Sequence, residues 1–600
     1  MSYRFSSRFV VPKWAHLFIG VLRRSPARAL AIAFFYVKRQ RVRAHNRLQE
    51  AAIELLPPYQ TWVRTIERIE LETLRVSQRE VKYGRRASFS LLVHAPAWTG
   101  VAALNRTLAS IDAQICKDWE LILTGPLPFG IVVEGLPSKH LEAAGPDRTG
   151  ALRPALAAAV GDFIIILPPD VVLPSSALAR YQEAAFDATE VSIFYGDEDV
   201  IDIADRRTRP WFKPQWNAEL ILALDYVSHA YAIAAPVARA ASEISPDLAD
   251  CVGYALLLAA VSRADVSVRH IAHVLCHLPD TIEYNDSNAR LRAVSRHIAT
   301  DGGHAELGPF ETVRVRWPLP DTPPPVTIII PTRDKVELMK VCIGSLLCNT
   351  IYPKYDIIIV DNGSVEQKTH DWFEHISNDS RVSILKYDYP YNYSAINNFA
   401  EYHADGKYIC LLNNDTEIIE GAWLNELMRY AVRPNVGAVG PKLLYGDGSI
   451  QHAGVVIGLG GAAGHAHRGL PDQQPGYFAQ AHCAHYASAV TAACLVVERA
   501  KFEAVGGLDA TDLQIAYNDV DFCLKLGQKG WSSVYAPQAV MIHHESKSRG
   551  QDMSPLHIER YKRELAILRS RWNTSSTVDP MHHLHLDRTS ETYRIQLWSA

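Results

Sequence analysis

Polar and acidic side chains follow three predicted strands in the second half of this 600-residue chain. Apolar runs typical of buried strands span residues 326–330, 355–360 and 408–412. They are followed by Pro331-Thr332-Arg333-Asp334, Asp361-Asn-Gly-Ser364 and Asn413-Asn414-Asp415. Because the carboxyl ends of parallel strands meet at one edge of a sheet, we expect these residues to form a common ligand site. Asp and Asn after a strand often do no more than form a turn. Three such segments at the same edge of the sheet favour a ligand site.

Two later segments add acids and histidines. Asn518-Asp-Val-Asp521 opens a predicted helix, where the helix dipole favours acidic side chains. A carboxylate at a cleft edge can also deprotonate a hydroxyl group, and Asp519 is a candidate for that role. The segment His543-His544-Glu-Ser-Lys-Ser-Arg-Gly550 can complete a metal site or contact a diphosphate. The sequence leaves open which of the two histidines acts.

The elements that must position these groups occur twice. Strand and helix patterns alternate over residues 86–300 and again over 325–575, which predicts parallel sheets with crossover helices. The Pro-rich segment 301–324 between them predicts a stiff linker. Gly161-Asp-Phe-Ile-Ile-Ile-Leu-Pro-Pro-Asp170 matches Gly406-Lys-Tyr-Ile-Cys-Leu-Leu-Asn-Asn-Asp415 without a gap, and residues 118–123 match 354–359 in the same order. We therefore predict one α/β domain written twice, preceded by a helical segment over 1–85 and followed by a solvated tail over 576–600.

Composition excludes several classes of protein. Hydrophobic residues make up 48% of the chain, charged residues 21%, and the net charge is −4, so a soluble globular protein that does not bind nucleic acid is predicted. The longest apolar runs are far shorter than the roughly eighteen residues that a spanning helix needs. Nine scattered cysteines without a C-x-x-C pair predict reduced thiols in the cytoplasm.

The N-terminal segment is strongly basic. Residues 1–50 carry eleven Lys or Arg and a single acid, Glu50, around the apolar stretch 27–37. Such a segment can lie on an anionic membrane surface, here the cytoplasmic face of the inner membrane. The alternative is a helix packed on its own protein with solvated arginines, and the sequence does not decide between them.

The motifs together resemble glycosyltransferase family 2. The resemblance covers about residues 324–555 and rests on the three strand-end turns, on Asn392-Tyr-Ser-Ala-Ile-Asn-Asn398, and on Asn518-Asp-Val-Asp521. Gln451-His452-Ala-Gly454, Gly464-His-Ala-His-Arg468 and the 543–550 segment resemble the rhamnosyltransferase-like branch that makes O-antigen and other surface polysaccharides.

The resemblance implies two tandem GT-A domains and an inverting transfer from a nucleoside-diphosphate sugar to a saccharide or lipid-linked saccharide, with Mg²⁺ or Mn²⁺ as cofactor. Carried over by motif, Asp519 would be the general base. The nucleotide sugar would contact Pro331, Thr332, Arg333, Asp334, Asp361, Asn398, Asn413 and Asn414. The metal would bind Asp415 with His543 or His544. The acceptor side would include His452, Asn518 and Asp521.

The first of the two predicted domains also resembles the family, but it differs at the positions where catalytic residues are expected. Thr124-Gly-Pro126 contains no acid to bind a nucleoside, and the acid pair expected at a helix start is missing near residues 251–256. A degenerate domain that serves as a scaffold or holds the acceptor is therefore predicted. The alternatives are a second active site using Asp197 and Asp199, and a non-catalytic assembly or carbohydrate-binding protein. We further predict that Gly454–Gly469 is a mobile acceptor-side loop and that His582, His583 and His585 are solvated.

Overall fold

The computed structural model describes residues 13–37, 47–48, 51, 58–80, 86–95, 99–126, 131, 135–141, 148–244, 251–280, 286–544, 558–589 and 591–597. Among these described residues, the N-terminal part includes the helices α1 (Lys13–Arg24), α2 (Pro26–Val37), α3 (Pro58–Trp62) and α4 (Arg68–Glu80). A π turn over Val63–Glu67 joins the last two. No helix within the described ranges is long and apolar enough to cross a membrane.

The first α/β domain is built on an eight-stranded sheet. Its strands are β1 (Phe89–His94), β2 (Trp119–Thr124), β3 (Ser138–Leu141), β4 (Phe163–Leu167), β5 (Ile193–Ile201), β6 (Arg207–Trp211), β7 (Ala232–Ala234) and β8 (Val268–Pro279). They lie in the order β3-β2-β1-β4-β7-β5-β6, with β8 also paired to β5. Its helices are α5 (Val101–Asp112), α6 (Arg148–Ala158), α7 (Ala177–Asp187), α8 (Leu220–Ala223), α9 (Ala235–Ile244), α10 (Val252–Val261) and α11 (Ser287–Ile298).

The second domain has a ten-stranded sheet. Its strands are β11 (Val326–Thr332), β12 (Tyr355–Asp361), β13 (Val382–Lys386), β14 (Tyr408–Leu412), β15 (Thr416–Ile418), β16 (Val436–Leu444), β17 (Ile450–His452), β20 (His485–Ala487), β21 (Cys494–Glu498) and β22 (Ser532–His543). The order is β13-β12-β11-β14-β21-β16-β22-β15, with β17 beside β16 and β20 beside β22. A separate hairpin pairs β18 (Val455–Ile457) with β19 (Ala463–His465).

In the described part of this domain, seven helices accompany the sheet. They are α12 (Val336–Asn349), α13 (Gln367–Ile376), α14 (Tyr393–Tyr402), α15 (Trp423–Ala431), α16 (Arg499–Ala504), α17 (Asn518–Gln528) and α18 (Ile558–Trp572). Short 3₁₀ turns occur at Ala299–Asp301, Pro309–Glu311, Leu459–Gly461 and Tyr477–His482.

The two sheets share one topology. The central order β2-β1-β4-β7-β5 is repeated as β12-β11-β14-β21-β16, with the same parallel and antiparallel pairings. β8 lies parallel to β5, as β22 lies parallel to β16. The prediction of a duplicated α/β domain is therefore confirmed.

A glycine at the same point of each copy shows how close the match is. A Cβ atom on Gly161 would lie 2.6 Å from the backbone nitrogen of Ser90, and one on Gly406 would lie 2.5 Å from that of Thr327. Both backbone N–H groups donate to the hydroxyl of that neighbour, at 2.9 Å in each domain. Only a residue without a side chain lets the two strands approach this closely.

The segment between the domains is more structured than a stiff linker. Residues 304–316 form an antiparallel hairpin of β9 (His304–Leu307) and β10 (Val313–Arg316). Just after it, the Trp317 ring lies 4.3 Å from the Arg433 guanidinium and donates through Nε1 to Glu219 at 3.3 Å. Arg433 also forms an ion pair with Glu219. These contacts tie the linker to both domains, so the Pro-rich composition alone was an incomplete guide.

The C-terminal segment packs into the protein, which corrects the prediction of a solvated tail. His582, His583 and His585 are 4–6% exposed. Their neighbourhood includes Phe212, whose ring stacks on His583 with centroids 5.1 Å apart. Trp62 of α3 meets His585 edge-on at 4.9 Å. A tail with three histidines looks solvated by composition because the apolar surfaces that bury it lie hundreds of residues earlier in the chain.

This burial predicts a loss of stability in mild acid. Burial, aided by the nearby His583, lowers the pKa of His582 and of His585 to about 4. In the unfolded chain a histidine titrates near 6.5, so between pH 7 and pH 5 the unfolded state takes up protons that the folded state does not. The free energy of unfolding therefore decreases as the pH is lowered from 7 to 5. We expect His582→Asn and His585→Asn each to reduce this fall by on the order of 1 kcal/mol. Urea unfolding at both pH values measures it, and an unchanged pH dependence in both variants would contradict the assignment.

Candidate active site

The turn after β14 is the centre of the candidate site. The side-chain amide of Asn414 donates to the Thr332 hydroxyl at the end of β11, at 2.9 Å. The backbone N–H of Asn413 donates to the carbonyl of Ala493, at 2.9 Å. These bonds fix the Asn413–Asp415 turn between the ends of β11 and β21. The prediction that the strand-end residues meet at one sheet edge matches this geometry.

Asp361 and Asp334 shape the adjoining loops. The Asp361 carboxylate is buried at the end of β12 and accepts from the backbone N–H of Ser364 at 2.9 Å. The Asp334 carboxylate accepts from the N–H groups of Val365 and Glu366, each at 2.9 Å, just before α13. Asp334 thus joins the first loop to the second. Of the neighbouring predicted residues, Thr332 is buried, Pro331 is half-buried and Arg333 is exposed.

His543 and His544 have different surroundings. The Nε2 atom of His543 lies 3.0 Å from Oδ1 of Asp415. His544 instead reaches Glu417, 2.9 Å away. His543 is the last residue of β22, opposite Thr416 of β15, and His544 follows it. Successive side chains of an extended chain point to opposite sides. The structure therefore associates His543 with Asp415. Residues 545–550 of this motif lie outside the described residues.

Asp519 is linked to the Asn413 turn through the adjacent residues Ala492 and Ala493. One of its carboxylate oxygens accepts from the backbone N–H of Ala492 at 3.1 Å, and the other from that of Val520 at 2.8 Å. Ala493, next to Ala492, is the residue that holds Asn413. Asp519 is half-buried, in the first turn of α17. Two N–H groups therefore fix the orientation of the Asp519 carboxylate next to the segment that holds the turn.

Asn398, Asn518 and Asp521 have partners inside the protein. The Asn398 amide both donates to and accepts from the backbone of Leu508, at 2.8 and 2.9 Å. Asn518 donates to the Ser394 hydroxyl at 3.1 Å. Asp521 is fully buried and accepts from Arg571 and Trp572 of α18, each at 2.8 Å. These bonds hold α14, α17 and α18 together, so the three side chains act here as structural links rather than as exposed ligand contacts.

His452 is buried, whereas its neighbour Gln451 reaches the site. His452 lies 2.9 Å from the ring of His465, and its burial, together with nearby histidines, holds its pKa well below the usual range. Gln451 instead lies 2.7 Å from Nδ1 of His543. Alternation along β17 puts the two residues on opposite faces, and the motif alone did not reveal which face meets the site.

The glycine-rich segment is not an open loop. β18 and β19 form a hairpin within it, and the backbone N–H of Gly460 donates to the Arg588 carbonyl at 2.8 Å. Arg569 of α18 donates to the Gly461 carbonyl, also at 2.8 Å. The expectation of a mobile acceptor-side loop overlooked this C-terminal cover.

In the first domain, acids are buried by other segments. Asp197 and Asp199 are fully buried. Asp199 accepts from Tyr59 of α3 at 2.5 Å and from Arg207 at 2.5 Å. Burial alone would raise the pKa of Asp197, but the adjacent His583 and His270 outweigh it and hold that pKa well below its usual range. Both acids are thus enclosed and paired, which contradicts their use as an open second active site.

Asp197, His270 and His583 also form a cluster with metal-ligand atoms within 4.8 Å of one another. The backbone N–H of His585 donates to Nδ1 of His583 at 3.0 Å. In a neutral ring the proton then resides on Nε2, which faces Asp197 at 3.0 Å. A nitrogen that carries a proton cannot ligate a metal, so we interpret the contact between His583 and Asp197 as a buried polar contact that anchors the C-terminal segment.

The strand-end edge of the first domain has different chemistry. Where the second domain has Asp361, Asn413 and Asn414, the first has Gly125, Pro168 and Pro169. Asp170, the counterpart of Asp415, is paired with Arg106, whose Nε lies 2.9 Å away. A pocket partly open to solvent lies here, and its lining includes Leu92, His94, Thr124, Pro168, Pro169 and Tyr254. This lining lacks the carboxylates and amides of the second domain.

Comparison with known proteins agrees with this geometry. A family model described as Glycosyl transferase family 2 matches residues 327–484. The chain is 37% identical over 511 residues to the uncharacterized protein y4gI of Sinorhizobium fredii, covering 81% of this chain and 56% of that protein. It is 35% identical over 479 residues to the O-antigen biosynthesis protein RfbC of Myxococcus xanthus, covering 76% of this chain and 37% of that protein.

The chain therefore spans about half or less of the length of these relatives. Among solved structures, it matches a mannosyltransferase from Pyrobaculum calidifontis, in complex with GDP-Man and Mn²⁺, with 16% identity and a TM-score of 0.32. That match covers 44% of this chain and 69% of the other.

The matched residues 327–484 contain the turns at Asp361 and Asn413–Asp415, the same strand-end residues that the sheet brings together. Over residues 327–484, within its second domain, the chain matches glycosyl transferase family 2.

Proposed function

We propose that the chain is an inverting glycosyltransferase that moves a sugar from a nucleoside-diphosphate sugar to a hydroxyl of a surface glycan or lipid-linked saccharide. The observation that carries the proposal is the set of bonds around the Asn413 turn, which connects Thr332, Asp415 and the Asp519 segment. The family match and the similarity to RfbC, named for O-antigen biosynthesis, support the reaction and the kind of product.

Donor binding is assigned to the edge formed by β11, β12 and β14. Asp361 ends β12 and would accept hydrogen bonds from the nucleoside, while residues 331–334 border the same loop. The hydrogen bond from Asn414 to Thr332 fixes the Asn413–Asp415 turn, which would face the diphosphate, relative to residues 331–334 beside the nucleoside. These polar groups lie outside the carboxyl ends of parallel strands, the usual place for a nucleotide in such sheets.

Asp415 and His543 fit a divalent cation such as Mg²⁺ or Mn²⁺. Their carboxylate oxygen and ring nitrogen lie 3.0 Å apart, and carboxylate with imidazole is a common donor set. A bound cation would neutralise the charge that develops on the leaving diphosphate. His544 pairs with Glu417 and is not part of this set.

Asp519 is assigned as the general base. It would take the proton from the acceptor hydroxyl, which then attacks the anomeric carbon on the face opposite the diphosphate, so the configuration inverts. The N–H groups of Ala492 and Val520 orient the carboxylate, and the N-terminal end of α17 favours its negative charge.

The first domain is proposed to be degenerate and to serve as a scaffold or acceptor holder. Its strand-end turns lack the amides and the nucleoside acid, and Arg106 neutralises Asp170. A bifunctional enzyme is a weaker candidate because Asp197 and Asp199 are enclosed. A non-catalytic carbohydrate-binding protein is disfavoured by the intact set of Asp361, Asp415 and Asp519.

Removal of the base should separate binding from turnover. We expect Asp519→Asn to lower the transfer rate by about 10²- to 10⁴-fold while donor binding stays near normal. Asp512→Asn, an exposed change seven residues earlier, is the matched control and should keep full activity. Turnover of nucleotide sugars and calorimetric donor binding measure the two effects, and near-normal turnover in Asp519→Asn would reject the assignment.

The N-terminal helices are proposed to contact an anionic membrane on the cytoplasmic side. Leu17, Val21, Ala29 and Ile32 face the protein, while Leu30 and Val37 are 69% and 80% exposed. The outer face of α1 and α2 is therefore apolar and lies among basic residues of the same segment, as in helices that bind membrane interfaces.

Charge on this face should weaken membrane binding. We expect Leu30→Glu with Val37→Glu to reduce flotation of the full chain with phosphatidylserine-containing vesicles by about tenfold. Ile203→Glu, which alters a 97% exposed apolar residue of the first domain, serves as the control and should not change flotation. Equal flotation of all three proteins would argue for helices that merely pack on the chain.

A further inference from the structure

The His543 ring is held from both sides by amide groups. Its Nδ1 atom lies 2.7 Å from the side-chain oxygen of Gln451, on β17. Its Nε2 atom lies 3.3 Å from the side-chain nitrogen of Asn413. His543 and Gln451 are both buried, so these contacts are shielded from water. An amide oxygen accepts hydrogen bonds and an amide nitrogen donates them, so the two contacts assign the ring's proton.

Both contacts agree on one tautomer. The Gln451 oxygen needs a donor, so the proton is on Nδ1. The Asn413 N–H needs an acceptor, so Nε2 carries a lone pair. That lone pair lies 3.0 Å from Oδ1 of Asp415, which is itself an acceptor. Two acceptors this close repel one another unless a proton or a metal cation lies between them, and in this tautomer the ring supplies no proton there.

His583 provides a contrast within the same chain. There the backbone N–H of His585 occupies Nδ1, so the proton lies on Nε2 and faces Asp197. The two histidines both lie beside a buried aspartate, but they present opposite ring nitrogens to it. The partner of Nδ1 therefore decides whether the ring presents a proton or a lone pair to its aspartate, and only the lone pair can bind a metal.

We propose that Gln451 is a positioning residue that holds His543 in the Nδ1–H tautomer and so leaves Nε2 free to bind a divalent cation together with Asp415. This inference rests on the proposed function and adds a residue outside the predicted set of ligands. Gln451 touches no reacting atom in this account. Its effect passes through the orientation and tautomer of the His543 ring, as that of an outer hydrogen-bond partner does in other metal sites.

Mn²⁺ binding to the full chain tests the inference without the need for turnover. Gln451→Leu removes the acceptor and should weaken Mn²⁺ affinity by about 10- to 100-fold. Gln451→Glu keeps an acceptor at this position and should bind at least as tightly as the native chain. Gln538→Leu, a similar change at another buried glutamine on β22, is the control and should bind normally. Titration calorimetry, with thermal unfolding to verify that each variant is folded, measures all four proteins.

The tautomer itself is read by NMR on chain labelled with ¹⁵N-histidine and free of metal. The native chain and Gln451→Glu should show His543 protonated on Nδ1, and Gln451→Leu should show a mixture. The inference is overturned if the native ring is protonated on Nε2, or if folded Gln451→Leu binds Mn²⁺ within twofold of the native chain. Because the NMR result requires neither metal nor sugar nucleotide, it distinguishes a failure of this inference from a failure of the proposed glycosyl transfer.

Discussion

The turn at Asn413–Asp415 forms hydrogen bonds with several neighbouring segments at once, and the arrangement of the second domain depends on these bonds. The backbone N–H of Asn413 donates to Ala493, and the side-chain amide of Asn414 donates to Thr332. The Asp415 carboxylate lies beside the His543 ring. A buried strand end leaves polar backbone groups that must find partners, and here the partners come from β11, β21 and β22. The same bonds that satisfy the turn therefore bring Thr332, Asp415 with His543, and the segment next to Asp519 to one place.

The duplicated sheet keeps one framework, although the residues at its strand ends differ between the two domains. Strand order, pairing and the close glycine contact are the same in both domains. The first domain has two prolines where the second has two asparagines, and prolines have no amide side chain with which to tie the turn to its neighbours. Its acids have instead become anchors: Asp199 holds α3 through Tyr59, and Asp197 holds the C-terminal segment through His583. The second domain bears the proposed site, and the first domain holds α3 and the C-terminal segment.

The parts of the fold that depend on local pattern were predictable from sequence. Apolar strands, the polar residues at their ends and the internal repeat all lie within short windows, so the duplicated sheet and the edge that bears Asp361 and Asp415 could be derived. The partners of Asn398 and Asp521 could not, because Leu508 and Arg571 lie 110 and 50 residues away. The choice between His543 and His544 needed the pairing of β22 with β15. Alternation along the strand shows only that the two side chains point to opposite sides, not which of them faces Asp415. The burial of the C-terminal histidines likewise needed tertiary contacts.

The central claim is that transfer takes place in the second domain, at Asp415, and not at its counterpart in the first. The most direct measurement compares consumption of nucleotide sugars by the full chain with Mn²⁺ or Mg²⁺ for the native protein, Asp415→Asn and Asp170→Asn. The account predicts cation-dependent turnover that is lost in Asp415→Asn and kept in Asp170→Asn. Turnover that survives in Asp415→Asn and disappears in Asp170→Asn would contradict it.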